Sequence, residues 1–182
     1  QTSETPRFSI IMPAYRRFAS GPLTRAIQSV LNQTYNEFEL IMIDDGSVDG
    51  SFDEIQRMMK LDLRVHCLHH PRNVGLPAIG CYEALLRSRG EYLMLCFDDT
   101  EYQKDALERV DQYVSEHKPK IAFGYIDYQY QNSDGTILHS FLGKGEISQA
   151  HLKMTNFLPN LGAILHHDVP NEIGFLDPHL AV

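Results

Sequence analysis

Between residues 7 and 117 the chain alternates four times between a short apolar run and a segment of helical periodicity, and this alternation decides the fold class. The runs at 7–13, 38–43, 64–68 and 91–97 read as buried strands. The segments at 22–32, 51–60, 76–89 and 104–117 read as helices. In the first of these, Pro22 suits an opening helical position and Leu23, Ile27, Val30 and Leu31 share one face. Strand followed by helix, repeated, predicts an α/β fold: a mainly parallel sheet covered by helices on both sides. Ligands of such sheets bind beyond the carboxyl ends of the strands. Four segments therefore matter most: 13–17, 44–47, 69–73 and 98–100.

The rest of the chain is less regular. Residues 121–130 are aromatic-rich, 132–135 read as a turn, and 136–141 as the returning strand of a hairpin. A helix is expected at 148–156 and a further strand at 161–166. There are no repeats and no linker, so one domain is expected over 1–182. A net charge of −8 argues against a nucleic-acid surface. No run of 18 apolar residues exists, so no membrane span is expected. The first residues lack the pattern of a signal peptide. Cys67, Cys81 and Cys96 stand far apart in sequence and read as free thiols of a reducing compartment.

Several phosphate-handling motifs are missing. Gly75 and Gly80 have P-loop spacing, but Cys81 and Tyr82 stand where Lys and Ser or Thr are needed. No G-x-G-x-x-G follows the first strand. The adjacent carboxylates of Asp98 and Asp99 offer another route, because two like charges side by side call for a positive partner. Mg²⁺ or Mn²⁺, held by one or two carboxylates and completed by phosphate oxygens, is such a partner. The same pair also suits a helix cap or a turn. In the second acidic turn, 44–47, an aspartate can accept the ring N–H of uracil or thymine, or simply stabilise the turn. Tyr15 has the shape to stack on a base, and Arg16, Arg17 and Arg72 the charge to pair with phosphate. His69 and His70 read as loop residues.

Taken in order, these segments resemble the family 2 inverting glycosyltransferases. The resemblance rests on residues 9–15, 26–35, 38–47 and 72–75, on 90–92 running into Asp98-Asp99, and more faintly on 172–177. It implies a GT-A fold, with a nucleotide-binding half at about 7–117 and an acceptor-side half at about 118–182. It implies sugar transfer with inversion from a nucleotide-diphosphate sugar, a UDP- or dTDP-sugar being favoured. Pro13 and Tyr15 would line the nucleoside, Asp45 would contact the base, and Arg17 and Arg72 would serve the diphosphate. Asp99 would be the metal ligand, with Asp98 beside it between metal and nucleotide, and His166 a further candidate ligand.

The pattern departs from the family in two places. Phe97 and Thr100 replace the outer acids of the D-x-D-D motif, leaving only the adjacent pair. The general base of the family falls after the segment resembling 174–180, so it is expected beyond Val182, with Asp177 as a weak fallback. A domain truncated at its C-terminus and inactive as a fragment is the corresponding expectation. The acceptor, whether saccharide, lipid-linked or protein, is left open. The expected location is cytoplasmic, with membrane association only through a parent protein. Two other readings stand beside this one. A nucleotidyltransferase would need more glycine in 13–22, and a non-catalytic module would bind a nucleotide sugar or a partner without turnover.

Overall fold

Alternation along each apolar run sorts its side chains onto two faces of one sheet. The computed structural model describes residues 5–123, 128–131, 134, 136–141 and 163–173. Strands β1 (Phe8–Ala14), β2 (Phe38–Asp44), β3 (Val65–His69) and β4 (Tyr92–Leu95) alternate with helices α1 (Pro22–Leu31), α2 (Ser51–Leu61), α3 (Pro77–Leu85) and α4 (Ala106–His117). These strands pair in parallel. On one face Phe8, Ile10 and Met12 of β1 and Phe38, Leu40 and Met42 of β2 pack with Leu23, Ile27, Val30, Ile55, Leu107 and Val114 from α1, α2 and α4. On the other, Ile11, Ile41 and Ile43 meet Cys81 and Ala84 of α3. Burying each large aliphatic side chain contributes about 1.5–3 kcal/mol, so this two-sided core anchors the strand ends.

The later strands are β5 (Ile121–Phe123), β6 (Tyr128–Gln131), β7 (Ile137–Phe141) and β8 (Ala163–His166), and α5 covers Val169–Ile173. The main sheet has the order β3-β2-β1-β4-β8-β5, and β6 and β7 form a separate two-stranded sheet. β8 runs antiparallel to both β4 and β5. The hairpin expected around residues 132–135 is formed by β6 and β7. The helix expected at 148–156 lies outside the described residues.

Some elements are shorter than expected, for local reasons. α3 stops at Leu85, and the N–H groups of Arg87 and Ser88 tighten onto the carbonyls of Ala84 and Leu85. The chain then turns so that the Arg89 guanidinium reaches the buried Glu39 at 2.8 Å. Gly90 is required next: a Cβ there would lie 2.4 Å from the backbone nitrogen of Ser9. Cys67, Cys81 and Cys96 are free, and burial pushes the Cys81 thiol up to about 11. Among the described residues no helix is long and apolar enough to cross a membrane.

Candidate functional site

The strand order reverses beside β1. β2 and β3 lie on one side of it and β4 on the other. The switch point therefore lies at the carboxyl ends of β1 and β4, the usual ligand position in open α/β sheets. The loop after β1 and the loop after β4 meet there. Pro13 lies past the end of the β1–β4 pairing, which stops at Ile11 opposite Leu95. Beyond that point proline's missing donor is tolerated.

Asp98 is 8% exposed and Asp99 points further out, its side chain 50% exposed. The Tyr15 N–H donates to Asp98 Oδ2 at 3.1 Å. Arg17 spans the pair, with Nε 3.5 Å from Asp98 Oδ1 and Nη2 3.5 Å from Asp99 Oδ2. Within the protein itself, Arg17 is the positive partner that two adjacent carboxylates require. Burial raises the Asp98 carboxyl above its ordinary value, the Tyr15 N–H and Arg17 oppose the rise, and Asp99 adds to it. The oxygen-only donor set and the exposure of Asp99 fit a hard divalent cation, which takes one or two carboxylates and fills its shell with water and phosphate. Glu101 is committed elsewhere, to Arg25 at 2.8 Å.

The β1–α1 loop is fixed by the next turn of the sheet. Arg16 adopts φ 54°, and its N–H donates to Ser47 Oγ at 3.0 Å. The N–H groups of Arg17 and Phe18 both donate to Ser51 Oγ. This holds Tyr15 at the rim, 38% exposed, with the Arg16 guanidinium 5.2 Å from its ring centre.

The Asp44–Ser47 turn is closed by contrast. Asp44 is fully buried; its Oδ2 accepts from the Ser47 N–H at 3.2 Å and faces His69 Nδ1 at 2.9 Å, while its Oδ1 has no partner among the described residues. Asp45 Oδ1 faces His70 Nδ1 at 2.8 Å and accepts from the Val74 N–H at 2.9 Å. Its Oδ2 accepts from the Gly75 N–H at 3.1 Å. Burial alone would raise the Asp45 carboxyl, but these donors outweigh it and hold the group below its ordinary value. Gly46, at φ +70°, lies flat on the next loop, and a Cβ would stand 2.5 Å from the backbone carbon of Arg72. Arg72 itself is exposed beside this turn.

The structure thus brings Pro13, Tyr15, Arg17, Asp98 and Asp99 together at one end of the sheet, with Asp45 and Arg72 on the adjoining strand end. His166 is not among them. It pairs with Tyr92 at the opposite end of β4, and at about 3.3 Å per residue the strand puts about 10 Å between it and the Leu95 end, which leads on to Asp98. The expectation of His166 as a ligand beside Asp99 is corrected: it groups instead with His167 and Asp168, Nδ1 lying 3.4 Å from Asp168 Oδ2. A concavity of about 570 Å³ lined by Arg7, Lys118, Lys120 and His166 belongs to that far end as well. Asp177 lies outside the described residues. The residue missed in the sequence is His70, whose ring bridges Asp45 and Glu83. Its position one step beyond β3, next to β2, was the signal available.

The sequence model described as glycosyl transferase family 2 matches residues 9–176. The glycosyltransferase TuaG of Bacillus subtilis is 33% identical over 141 residues, covering 78% of this chain and 54% of TuaG. Among solved structures, S. aureus TarS 1–349 in complex with UDP superposes with a TM-score of 0.70 at 16% identity, covering 96% of this chain and 51% of that one. The mannosyltransferase PcManGT of Pyrobaculum calidifontis, in complex with GDP-Man and Mn²⁺, gives 0.68 at 13% identity, covering 97% and 49%. The chain spans about half the length of these proteins. Its sheet and helices follow the GT-A arrangement of the structural neighbours, and by its match across nearly its whole length the chain belongs to glycosyl transferase family 2.

Proposed function

We propose that the chain is the donor-binding domain of an inverting glycosyltransferase that uses a nucleotide-diphosphate sugar, with UDP- or dTDP-sugars favoured. The observation that carries the reading is the meeting of Tyr15, Arg17, Asp98 and Asp99 where the strand order reverses. The UDP bound to TarS and the GDP-Man and Mn²⁺ bound to PcManGT, both of similar fold, support it.

Asp45 reads the base in this scheme. A carboxylate has about four acceptor positions, and His70, Val74 and Gly75 occupy three of those on Asp45. The remaining position, on Oδ2, suits a ring N–H such as N3–H of uracil or thymine. Cytosine and adenine present a lone pair at the corresponding ring nitrogen and are repelled. Tyr15 offers its face for stacking, and Arg17 and Arg72 offer charge to the diphosphate. Mg²⁺ or Mn²⁺ held by Asp99, with Asp98 beside it, would supply Lewis-acid stabilisation of the departing diphosphate. Inversion also requires a base to take the acceptor hydroxyl proton, and we place it outside the described residues, with Asp177 as a candidate. The acceptor is a saccharide, lipid-linked or protein glycan.

Calorimetric titration of UDP, dTDP and GDP with and without Mn²⁺ tests the reading. Metal-dependent binding of a uracil or thymine nucleotide, lost in Asp99→Ala, is expected. No binding of any nucleotide in either condition would sink it.

A further inference from the structure

We propose that His70 is a positioning residue for the nucleotide site: as an imidazolium clamped between Asp45 and Glu83, it fixes the carboxylate that reads the base and makes donor binding weaken on the alkaline side. The inference rests on the donor-site reading above.

Both ring nitrogens of His70 face carboxylates. Nδ1 lies 2.8 Å from Asp45 Oδ1 and Nε2 lies 2.9 Å from Glu83 Oε2. An ionised carboxylate only accepts hydrogen bonds, so both contacts are satisfied only when each nitrogen carries a hydrogen. A neutral ring would aim a lone pair at one of the two acids. The ring is 13% exposed, and the His70 backbone N–H is tied to the Asp44 carbonyl at 2.9 Å. It has little room to turn away.

The charged groups acting on the ring come from two elements: Asp45 from the β2–α2 turn and Glu83 from α3. The Asp44 carboxylate is engaged by His69, and Arg87 spends a donor on the Glu83 carbonyl at 3.2 Å. Hydrogen bonding to Asp45, then to Glu83, raises His70 above the ordinary histidine value, and burial opposes only in part. The sign follows. A group whose pKa is raised on folding contributes fully below about pH 6.5, and its contribution is lost as pH climbs through the raised value.

The consequence reaches the base through Asp45. The same carboxylate that meets His70 also accepts from Val74 and Gly75, so it sets both the loop and its own plane. Loss of the His70 proton leaves one of its two carboxylate contacts without a hydrogen: either Asp45 Oδ1 keeps only the Val74 N–H, or the ring loses its hold on Glu83, and both loosen the setting of the acceptor position open to a nucleobase. Glu83 holds the ring from the helix side.

The test is UDP binding in Mn²⁺ from pH 6.5 to 9, by calorimetry, on the unmodified chain, His70→Gln and Glu83→Gln. The unmodified chain is expected to lose about tenfold in affinity across the range, the worth of one charge-assisted hydrogen bond. His70→Gln should already be weak at pH 6.5 and should lack this loss; the nucleotide's own titration is common to both and cancels in their ratio. Glu83→Gln keeps the histidine and should move the fall to lower pH, which covers the case in which His70→Gln does not fold. By linkage, UDP should raise the His70 titration midpoint followed by NMR, a response that a purely architectural histidine would not give. Superimposable pH profiles of unmodified and His70→Gln proteins overturn the role of His70 while leaving the donor site standing. Failure of the unmodified chain to bind UDP at any pH overturns both.

Discussion

Two pairs of adjacent aspartates end two strands of the same sheet, and they have been given opposite surroundings. Asp44 and Asp45, at the end of β2, are met by backbone N–H groups and two histidines. Asp98 and Asp99, after β4, meet one backbone N–H and one arginine at 3.5 Å. The first pair is tied into the protein by its own donors, with Asp44 Oδ1 left without a partner among the described residues. The second is left short of partners and can take them from outside. Like charges side by side are unfavourable in both places. A sheet end can resolve the conflict with its own donors, which gives a rigid reader, or defer it to a ligand, which gives a binding site.

Breaking the closed pair should have the largest effect. Gly46→Ala forces a Cβ into the Arg72 backbone at a left-handed φ and is expected to destabilise the domain by about 3 kcal/mol or more, read as a lowered Tm. An unchanged Tm would show that the turn is not seated on the 70–75 loop. Breaking the open pair should spare the fold: Asp99→Ala is expected to leave Tm within a degree or two and to weaken UDP binding in Mn²⁺ at least about tenfold, 1.4 kcal/mol. Arg17→Ala sharpens the contrast because two readouts should move in opposite directions. Nucleotide affinity should fall several-fold, about 1 kcal/mol, while Mn²⁺ binding to the nucleotide-free protein should strengthen, since the acids lose their internal cation. The smallest effect is on stability against pH. The His70 contribution is present below about pH 6.5 and lost above its raised value, by no more than about 1 kcal/mol after solvent screening. Unfolding in denaturant at pH 6.5 and 9 should show a drop that His70→Gln lacks.

Much of this was legible in the residues. The apolar runs marked β1, β2 and β4 because a short run apolar on both faces and bounded by turn residues suits a buried parallel strand, and Pro22 with its apolar stripe marked α1. The Asp98–Asp99 pair announced an unmet charge. Less legible was which cation the protein itself supplies: one arginine among Arg16, Arg17 and Arg72 had to be chosen, and only the path of the 15–21 loop over Ser47 and Ser51 brings Arg17 to both acids. His166 misled because an apolar run followed by histidine reads the same in either direction. Strand direction decides which end of the sheet it reaches, and β8 runs antiparallel to β4. His70 was passed over because its partners, Asp45 and Glu83, come from 25 residues before and 13 after, a meeting set by the β2–β3 pairing and α3.

The position of β8 bears on how the chain is made. β4 is completed at Leu95, yet its second neighbour arrives only with residues 163–166. During synthesis β1 to β4 can assemble with their helices while the Tyr92–Leu95 edge still offers unpaired N–H and C=O groups to any passing strand. Emergence of β8 closes that edge. A chain ended at residue 160 is therefore expected to self-associate where the full 182 residues do not, and equal sedimentation of the two would refute this. The late strand acts as the stopper on an otherwise adhesive margin.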